Sequence, residues 1–116
     1  MGTIKSFREL EIWKKGIELV KEVYKTTENF PQSELYGLTS QMRRCAVSVP
    51  SNVAEGFRRR HSREFRQFLN IALGSLAELE TQLVIAQEIN YLSDGQVILE
   101  RIDHISRMIA TLLRRL

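Results

Sequence analysis

Four segments of the chain repeat apolar residues at alternating three- and four-residue steps, and this repeat limits the chain to a helical fold. The first segment carries two neighbouring apolar rows, of which the first is expected to face the core. The two rows are Leu10, Trp13, Ile17, Val20, Tyr24 and Ile12, Gly16, Leu19, Val23. The third and fourth segments carry the rows Phe65, Leu69, Ala72, Leu76, Leu79, Leu83, Ala86 and Ile98, Ile102, Ile105, Ile109, Leu112, Leu116.

Short links join these segments, which favours an antiparallel, up-down four-helix bundle. We therefore predict an all-α fold with one domain, residues 1–116. Its helices are expected at about 7–29, 34–58, 62–89 and 94–115.

The second segment keeps its apolar register across a proline. Its row is Leu35, Leu38, Met42, Cys45, Val49, Val53 and Phe57, and Pro50 lies inside it. Two separate helices would have no reason to preserve that phase. A proline inside a helix removes one backbone hydrogen bond and crowds the carbonyl four residues earlier, which bends the axis. We predict one helix, kinked at Pro50.

Three serines are placed to begin helices. Ser6 with Glu9, and Ser93 with Gln96, have the capping-box spacing, in which each side chain accepts a hydrogen bond from the other residue's backbone N–H. Ser33 ends the helix-breaking sequence NFPQS and is the expected cap of the second helix.

Side chains that could carry catalysis or hold a metal are scarce. The chain has two histidines, His61 and His104, and neither has the Glu-x-x-His spacing of a di-metal bundle site. Its one cysteine, Cys45, lies on an apolar row, so a buried and inert thiol is expected. We predict no catalytic residue, no metal site and no cofactor. The single cysteine and the lack of an apolar run of about 20 residues favour a cytoplasmic protein with no membrane contact.

The net charge is only +3, yet the positive charge is local. Residues 41–66 hold seven arginines and two glutamates, whereas the rest of the chain has slightly more acidic than basic residues. The seven, which we call the arginine patch, are Arg43, Arg44, Arg58, Arg59, Arg60, Arg63 and Arg66. Guanidinium groups suit phosphate oxygens, so the patch predicts nucleic-acid binding. Phe57, beside the run of three arginines, is a candidate for stacking a base.

Some of these arginines have alternative partners within the chain. Glu78 or Glu80 could pair with an arginine of the 43–44 pair. Glu55 precedes Arg59 by four residues and should neutralise part of its charge. A solvated helix face is the remaining interpretation of the cluster.

Apolar residues exceed what one bundle core needs, which is about three per heptad. The second row of the first helix is surplus, as are Phe68, Ile71, Leu73 and Val84 of the third. Surplus apolar faces often form subunit interfaces, so a homo-oligomer is expected. Self-association would also multiply the arginine patch, and several phosphate contacts together make binding strong and salt-dependent.

Two strings, YGLTSQMRRCAVSVPSNVAEG and GSLAELETQL, resemble the four-helix-bundle proteins encoded by intervening sequences in some bacterial 23S (large-subunit) ribosomal RNA genes. The resemblance covers Phe7 to about Leu92, and the last helix matches only in pattern. The family pattern covers Arg43, Arg44, Pro50, Ser51, Asn52, Glu55, Gly56 and Arg59 and supplies no catalytic residue. The accessory variability protein of diversity-generating retroelements, which assists a reverse transcriptase and binds nucleic acid, is distantly similar. The resemblance implies a bacterial, cytoplasmic protein that assembles into a ring, and a pentamer is expected.

The leading hypothesis is a non-catalytic, oligomeric nucleic-acid-binding scaffold or chaperone for RNA or DNA. It would bind phosphates through the arginine patch and act beside a reverse transcriptase or another nucleic-acid enzyme. The alternative is a protein-interaction module whose arginines pair with acidic residues of neighbouring subunits or of a partner. An enzyme, such as a nuclease that processes ribosomal RNA, is not favoured because the sequence offers no acid–base or metal constellation.

Overall fold

A computed structural model describes residues 3–116. The helices are α1 (Glu11–Thr27), α2 (Leu38–Arg58), α3 (Ser62–Glu88) and α4 (Gln96–Arg115), with 3₁₀ turns at Phe7–Glu9 and Gln32–Glu34. Within the described residues there is no β-strand, so the all-α fold class is confirmed. Helix α2 packs against α1 and α3, and α4 packs against the same two helices, which is compatible with a bundle.

The buried rows of α3 and α4 follow the predicted periodicity. All seven predicted positions of α3, from Phe65 to Ala86, are buried, as are the first four of α4, from Ile98 to Ile109. Helix α1 differs, because its second row supplies the core through Ile12, Leu19 and Val23. Tyr24, on the row expected to face the core, is 43% exposed. The prediction is wrong for Ile17 and Tyr24, because two adjacent apolar rows look alike in the sequence, whereas Leu10 is buried and Trp13 and Val20 pack against the core.

Helix α2 runs without interruption across Pro50, as its apolar register predicts. Pro50 is buried and lies against Gly16 of α1, where a Cβ atom would be 3.1 Å from the proline Cβ. The proline therefore contributes to a close contact between α1 and α2, and Gly16 permits it. The bend at Pro50 and the up-down order of the helices stay predictions.

Helix ends differ from their predicted positions. The predicted first helix divides at Leu10, whose backbone is extended, so the Ser6–Glu9 capping box is present but caps the 3₁₀ turn. Ser33 and Ser93 cap no helix. At α2 the carboxylate of Glu34 accepts the Leu38 backbone N–H at 3.0 Å. At α4 the Asp94 carboxylate accepts the Gln96 N–H at 2.9 Å. Acidic side chains in the preceding loops thus replace both predicted serine caps.

Helix α3 is long and apolar enough to cross a membrane, judged by length and composition alone. Only 33% of its most apolar window is buried within the chain. The core helix of a soluble protein passes the same test, so the predicted absence of membrane contact stays a prediction.

Candidate nucleic-acid interface

The structure divides the arginine patch between two regions. Arg43 and Arg44 lie near the start of α2, whereas the Arg58–Arg60 run ends α2 and Arg63 and Arg66 begin α3. Arg43 and Arg58 are separated by about 22 Å along α2, at 1.5 Å of rise per residue. One phosphate group therefore contacts one region or the other.

Arg43 is occupied within the bundle. Its Nε donates to the Thr27 hydroxyl at 2.9 Å, its guanidinium donates to the Tyr24 carbonyl at 3.4 Å, and it lies 4.5 Å from the centre of the Tyr24 ring. These contacts hold Arg43 at the C-terminal end of α1, where the helix dipole favours a positive charge. The main role of Arg43 is therefore to join α1 to α2 within the subunit.

Arg44 is exposed and forms no ion pair among residues 3–116. Glu78 and Glu80 are exposed too, and neither pairs with Arg43 or Arg44. The alternative in which these glutamates occupy those arginines is therefore wrong. Arg44 lies in a shallow groove of about 780 Å³ without an acidic lining residue. We call it the basic groove, lined by Tyr24, Leu35, Tyr36, Thr39, Ser40, Arg43, Arg44, Val47 and Ser48.

The three successive arginines at the end of α2 do not act alike. Arg59 pairs with Glu55 at 3.2 Å and approaches Glu64 at 3.9 Å, with its guanidinium 5.3 Å from the centre of the Phe68 ring. The predicted Glu55–Arg59 pair is confirmed. Arg58 and Arg60 are exposed and have no carboxylate partner in the described part of the chain. The middle arginine is thus largely neutralised, and its two neighbours are available.

A tight turn at Arg60 links the end of α2 to the start of α3. The backbone N–H of Arg60 donates to the Phe57 carbonyl at 3.2 Å, and Arg60 has a φ of 63°. That left-handed conformation after a helix usually belongs to glycine or asparagine. Asn90 takes it at the end of α3, with a φ of 65°. Gly56 lets the end of α2 lie directly on α3, since a Cβ there would be 2.7 Å from the Phe68 Cβ.

Arg58 and Arg60 line a cleft of about 720 Å³, which we call the turn cleft. Its lining residues are Ile4, Lys5, Ser6, Phe7, Gly56, Phe57, Arg58, Arg60, His61, Ser62, Phe65 and Leu116. None of the lining side chains is acidic, while Lys5 adds a third cation to the two arginines. Phe7, Phe57 and Phe65 provide an aromatic interior. Positive walls around an apolar interior suit a ligand that combines anionic and aromatic groups.

The remaining arginines of the patch lie beside the cleft. Arg66 donates to the Leu113 carbonyl near the end of α4. Arg63 is exposed and has no ion pair among the described residues. Phe57 is half-buried, with its ring edge-on to Phe65 at 6.0 Å between centres.

Sequence reasoning missed the N-terminal wall of the turn cleft. The Ser6–Glu9 box indicates that this segment is ordered, but nothing in the pattern places it against the end of α2. In the structure, a contact between Phe7 and Arg58 places the segment against the end of α2. The Arg58 guanidinium lies 5.5 Å from the centre of the Phe7 ring, within cation–π range. Trp13 also contacts Phe7, at 5.5 Å between ring centres.

Asn52, another residue of the family pattern on α2, bonds within the bundle. Asn52 donates to the Ser48 carbonyl at 2.8 Å, and the Ser48 hydroxyl is 2.7 Å from that of Ser75 on α3. Cys45 donates to the Ser75 carbonyl at 3.0 Å. Burial, together with the nearby carboxylate of Glu78, raises the pKa of the Cys45 thiol to about 11. This thiol is protonated at neutral pH, which agrees with the predicted inert cysteine.

Metal-binding geometry does not occur in the part of the chain that the structure describes: within residues 3–116, no group of three or more His, Cys, Asp or Glu side chains could hold an ion.

Comparison with known proteins gives the family. No curated protein matches the chain. The protein-family model described as "23S rRNA-intervening sequence protein" matches residues 8–111, which include all four helices apart from the last turn of α4. The chain therefore belongs to the 23S rRNA-intervening sequence protein family.

Proposed function

We propose that the protein is a non-catalytic, oligomeric scaffold or chaperone that binds the phosphates of RNA or DNA at the turn cleft. The observation that carries the proposal is the contrast within the Arg58–Arg60 run. Arg59 is paired with carboxylates, whereas Arg58 and Arg60 line a cleft with Lys5 and no acidic side chain. Unpaired guanidinium groups retain their full attraction for phosphate oxygens.

The conformation of Arg60 also supports this proposal. A left-handed backbone costs a non-glycine residue about 1–2 kcal/mol. An arginine at such a position, in the wall of a cleft, is the kind of strain that is typical of functional sites. The chain uses asparagine, the less costly residue, at the equivalent end of α3.

A homo-oligomer is part of the proposal, and complementary faces support it. Residues 67–100 contain five acidic residues and no lysine or arginine. Ile71, Glu78 and Ile85, which we call the α3 face, lie on one side of α3 and are all exposed. The basic groove offers the opposite charge beside its own exposed apolar residues. Because the two faces differ, their pairing is heterologous and generates a ring if it closes.

Gln82, beside the α3 face, donates from its Nε2 to Glu78 Oε2 at 3.3 Å and so orients that exposed carboxylate. A pentamer is the ring size that we propose, and it would place five turn clefts in one assembly.

The fold proposed for each subunit is the antiparallel, up-down bundle with α2 kinked at Pro50. Contacts support the antiparallel order, because Thr27 at the end of α1 meets Arg43 near the start of α2. Gly56 near the end of α2 lies against Phe65 and Phe68 near the start of α3. Such a subunit would act in the cytoplasm, without a cofactor, beside a reverse transcriptase or another nucleic-acid enzyme.

Fluorescence anisotropy with labelled structured RNA and single-stranded DNA tests the binding proposal, at about 50 and about 200 mM salt. The wild type is compared with Arg58→Ala/Arg60→Ala and with Lys14→Ala/Arg107→Ala, a control that removes equal charge from exposed, paired positions on α1 and α4. We expect affinity to fall steeply with salt and to be lost only in the cleft variant. Binding that is absent at low salt would refute the proposal.

The protein-interaction alternative has its own test, because light scattering measures assembly mass. We expect Arg44→Glu and Glu78→Arg each to lower the mass and Arg107→Glu to leave it unchanged. Intact assembly in both variants would contradict the proposed faces. The alternative, in which the arginines of the cleft pair with a neighbouring subunit, would be favoured by a different result. In that case the wild-type assembly does not bind nucleic acid, and the Arg58→Ala/Arg60→Ala variant dissociates.

A further inference from the structure

The turn cleft has two walls, and only one of them belongs to the arginine patch. The segment Ile4–Phe7 forms the opposite wall, and it precedes the residues that the family model matches, 8–111. This wall supplies a cation, Lys5, and an aromatic ring, Phe7. The contacts of these two residues indicate a ligand more specific than a phosphate backbone.

The N-terminal wall is fixed in place. Both backbone N–H groups of Lys5 and Ser6 donate to the Glu9 carboxylate, at 3.2 and 3.1 Å. Phe7 contacts both Trp13 and Arg58. The Lys5 ammonium forms no ion pair among the described residues, although the backbone of Lys5 is held. The wall therefore presents a free cation on an ordered support.

The interior of the cleft is aromatic and its rim is cationic. Phe7, Phe57 and Phe65 line the interior, and Lys5, Arg58 and Arg60 provide positive charge from both walls. Phe65 is buried, so the aromatic surface that a ligand can reach belongs to Phe7 and Phe57, which are partly exposed, and a phosphate alone would leave that surface in contact with water. The volume, about 720 Å³, falls within the range of small-molecule sites.

We infer that the turn cleft binds one unpaired nucleotide, with its phosphate between Lys5, Arg58 and Arg60 and its base against the aromatic interior. This inference rests on the proposed function and names the ligand of that site. In a duplex each base is stacked between its neighbours, so only phosphates could reach the cleft. An unpaired base exposes its face, and stacking on an aromatic ring tolerates any base. The site should therefore accept single-stranded RNA and DNA and discriminate against duplexes.

The test compares a labelled single-stranded oligonucleotide with a blunt duplex of the same sequence, by anisotropy at low salt. The variants are Lys5→Ala, Phe7→Leu and the control Lys14→Ala, with folding checked by thermal melts. We expect about tenfold tighter binding of the single strand, from one stacked base. Lys5→Ala should lower the salt slope by about one and Phe7→Leu should weaken only single-strand binding.

A competition experiment separates the base from the phosphate without any variant. A nucleoside monophosphate should displace the single strand at about tenfold lower concentration than inorganic phosphate. Two results would overturn the inference while leaving the proposed function intact. The first is equal competition by the nucleoside monophosphate and inorganic phosphate. The second is equal affinity for duplex and single strand, with Lys5→Ala and Phe7→Leu behaving like Lys14→Ala. No binding of either nucleic acid would refute the proposed function as well.

Discussion

Replacing Gly56 by alanine tests the contact that holds the turn cleft in place. A Cβ at Gly56 would be 2.7 Å from the Phe68 Cβ and 3.0 Å from the Phe65 Cδ1. The Phe68 Cβ is attached directly to the backbone of α3, so rotation of the Phe68 side chain cannot relieve the overlap and the two helices must separate. Overpacking of this kind costs about 1–3 kcal/mol, whereas alanine gains about 1 kcal/mol in helix propensity. With a cost near the upper end, we expect a net loss of about 1–2 kcal/mol in the free energy of unfolding.

The same substitution at Gly74 is a matched control. Gly74 lies inside α3, and a Cβ there would have no other heavy atom within 4 Å. Only the propensity gain applies, so we expect Gly74→Ala to raise the unfolding free energy by up to about 1 kcal/mol. Urea unfolding followed by far-ultraviolet circular dichroism, at one protein concentration, measures both values. Equal stability of the two variants would refute the close approach of α2 to α3.

Three further predictions concern Arg60, Cys45 and Glu34. Arg60→Gly relieves about 1–2 kcal/mol of backbone strain and adds about 0.4–1 kcal/mol of chain entropy to the unfolded state. It should therefore raise stability by about 0.5–1 kcal/mol in urea unfolding while weakening nucleic-acid binding. Arg60→Ala should weaken binding without that gain, and equal stability of these two variants would contradict the strain. The raised pKa of Cys45, about 11, stabilises the protein below the thiol's ordinary pKa of 9.0, and this contribution is lost as pH rises towards 11. Cys45→Ala should flatten the alkaline loss of stability, and an unchanged pH profile would contradict the assignment. Hydrogen bonds from the Leu38 backbone and the Tyr91 hydroxyl lower the pKa of Glu34, so its contribution is present above its ordinary pKa and lost as pH falls below about 4. Glu34→Gln should reduce the acid sensitivity of unfolding, and an unaltered acid midpoint would argue against these bonds.

Periodicity predicted the core wherever a helix carries one apolar row. The row of α3 and the first four residues of the α4 row are buried as expected, because a dominant stripe can face the partners in only one way. Helix α1 has two adjacent rows, and its orientation depends on partners far away in sequence. Tyr24 was placed in the core for this reason, although its ring instead lies at the surface under Arg43.

Local spacing predicted some contacts of the site and missed those between distant segments. The Glu55–Arg59 pair follows from an i,i+4 spacing within one helix and is confirmed. The contacts of Arg43 with Thr27 and of Phe7 with Arg58 were not predictable, since they depend on how α1 and the N-terminal turn lie against α2. Ser93 failed as a cap because Asp94 provides a charged acceptor for the Gln96 N–H. Ser33 failed because α2 begins only at Leu38, where Glu34 accepts the backbone N–H.

A comparison of single alanine variants within the Arg58–Arg60 run is the most direct test of the central claim. The three substitutions remove the same charge from adjacent positions, but only Arg58 and Arg60 line the turn cleft. We expect Arg58→Ala and Arg60→Ala each to lower the slope of log affinity against log salt by about one, with single-stranded DNA as the ligand. Arg59→Ala, which removes an arginine already paired with Glu55, should leave that slope nearly unchanged. Equal losses from all three variants would contradict the account, because binding would then follow total charge and not the cleft.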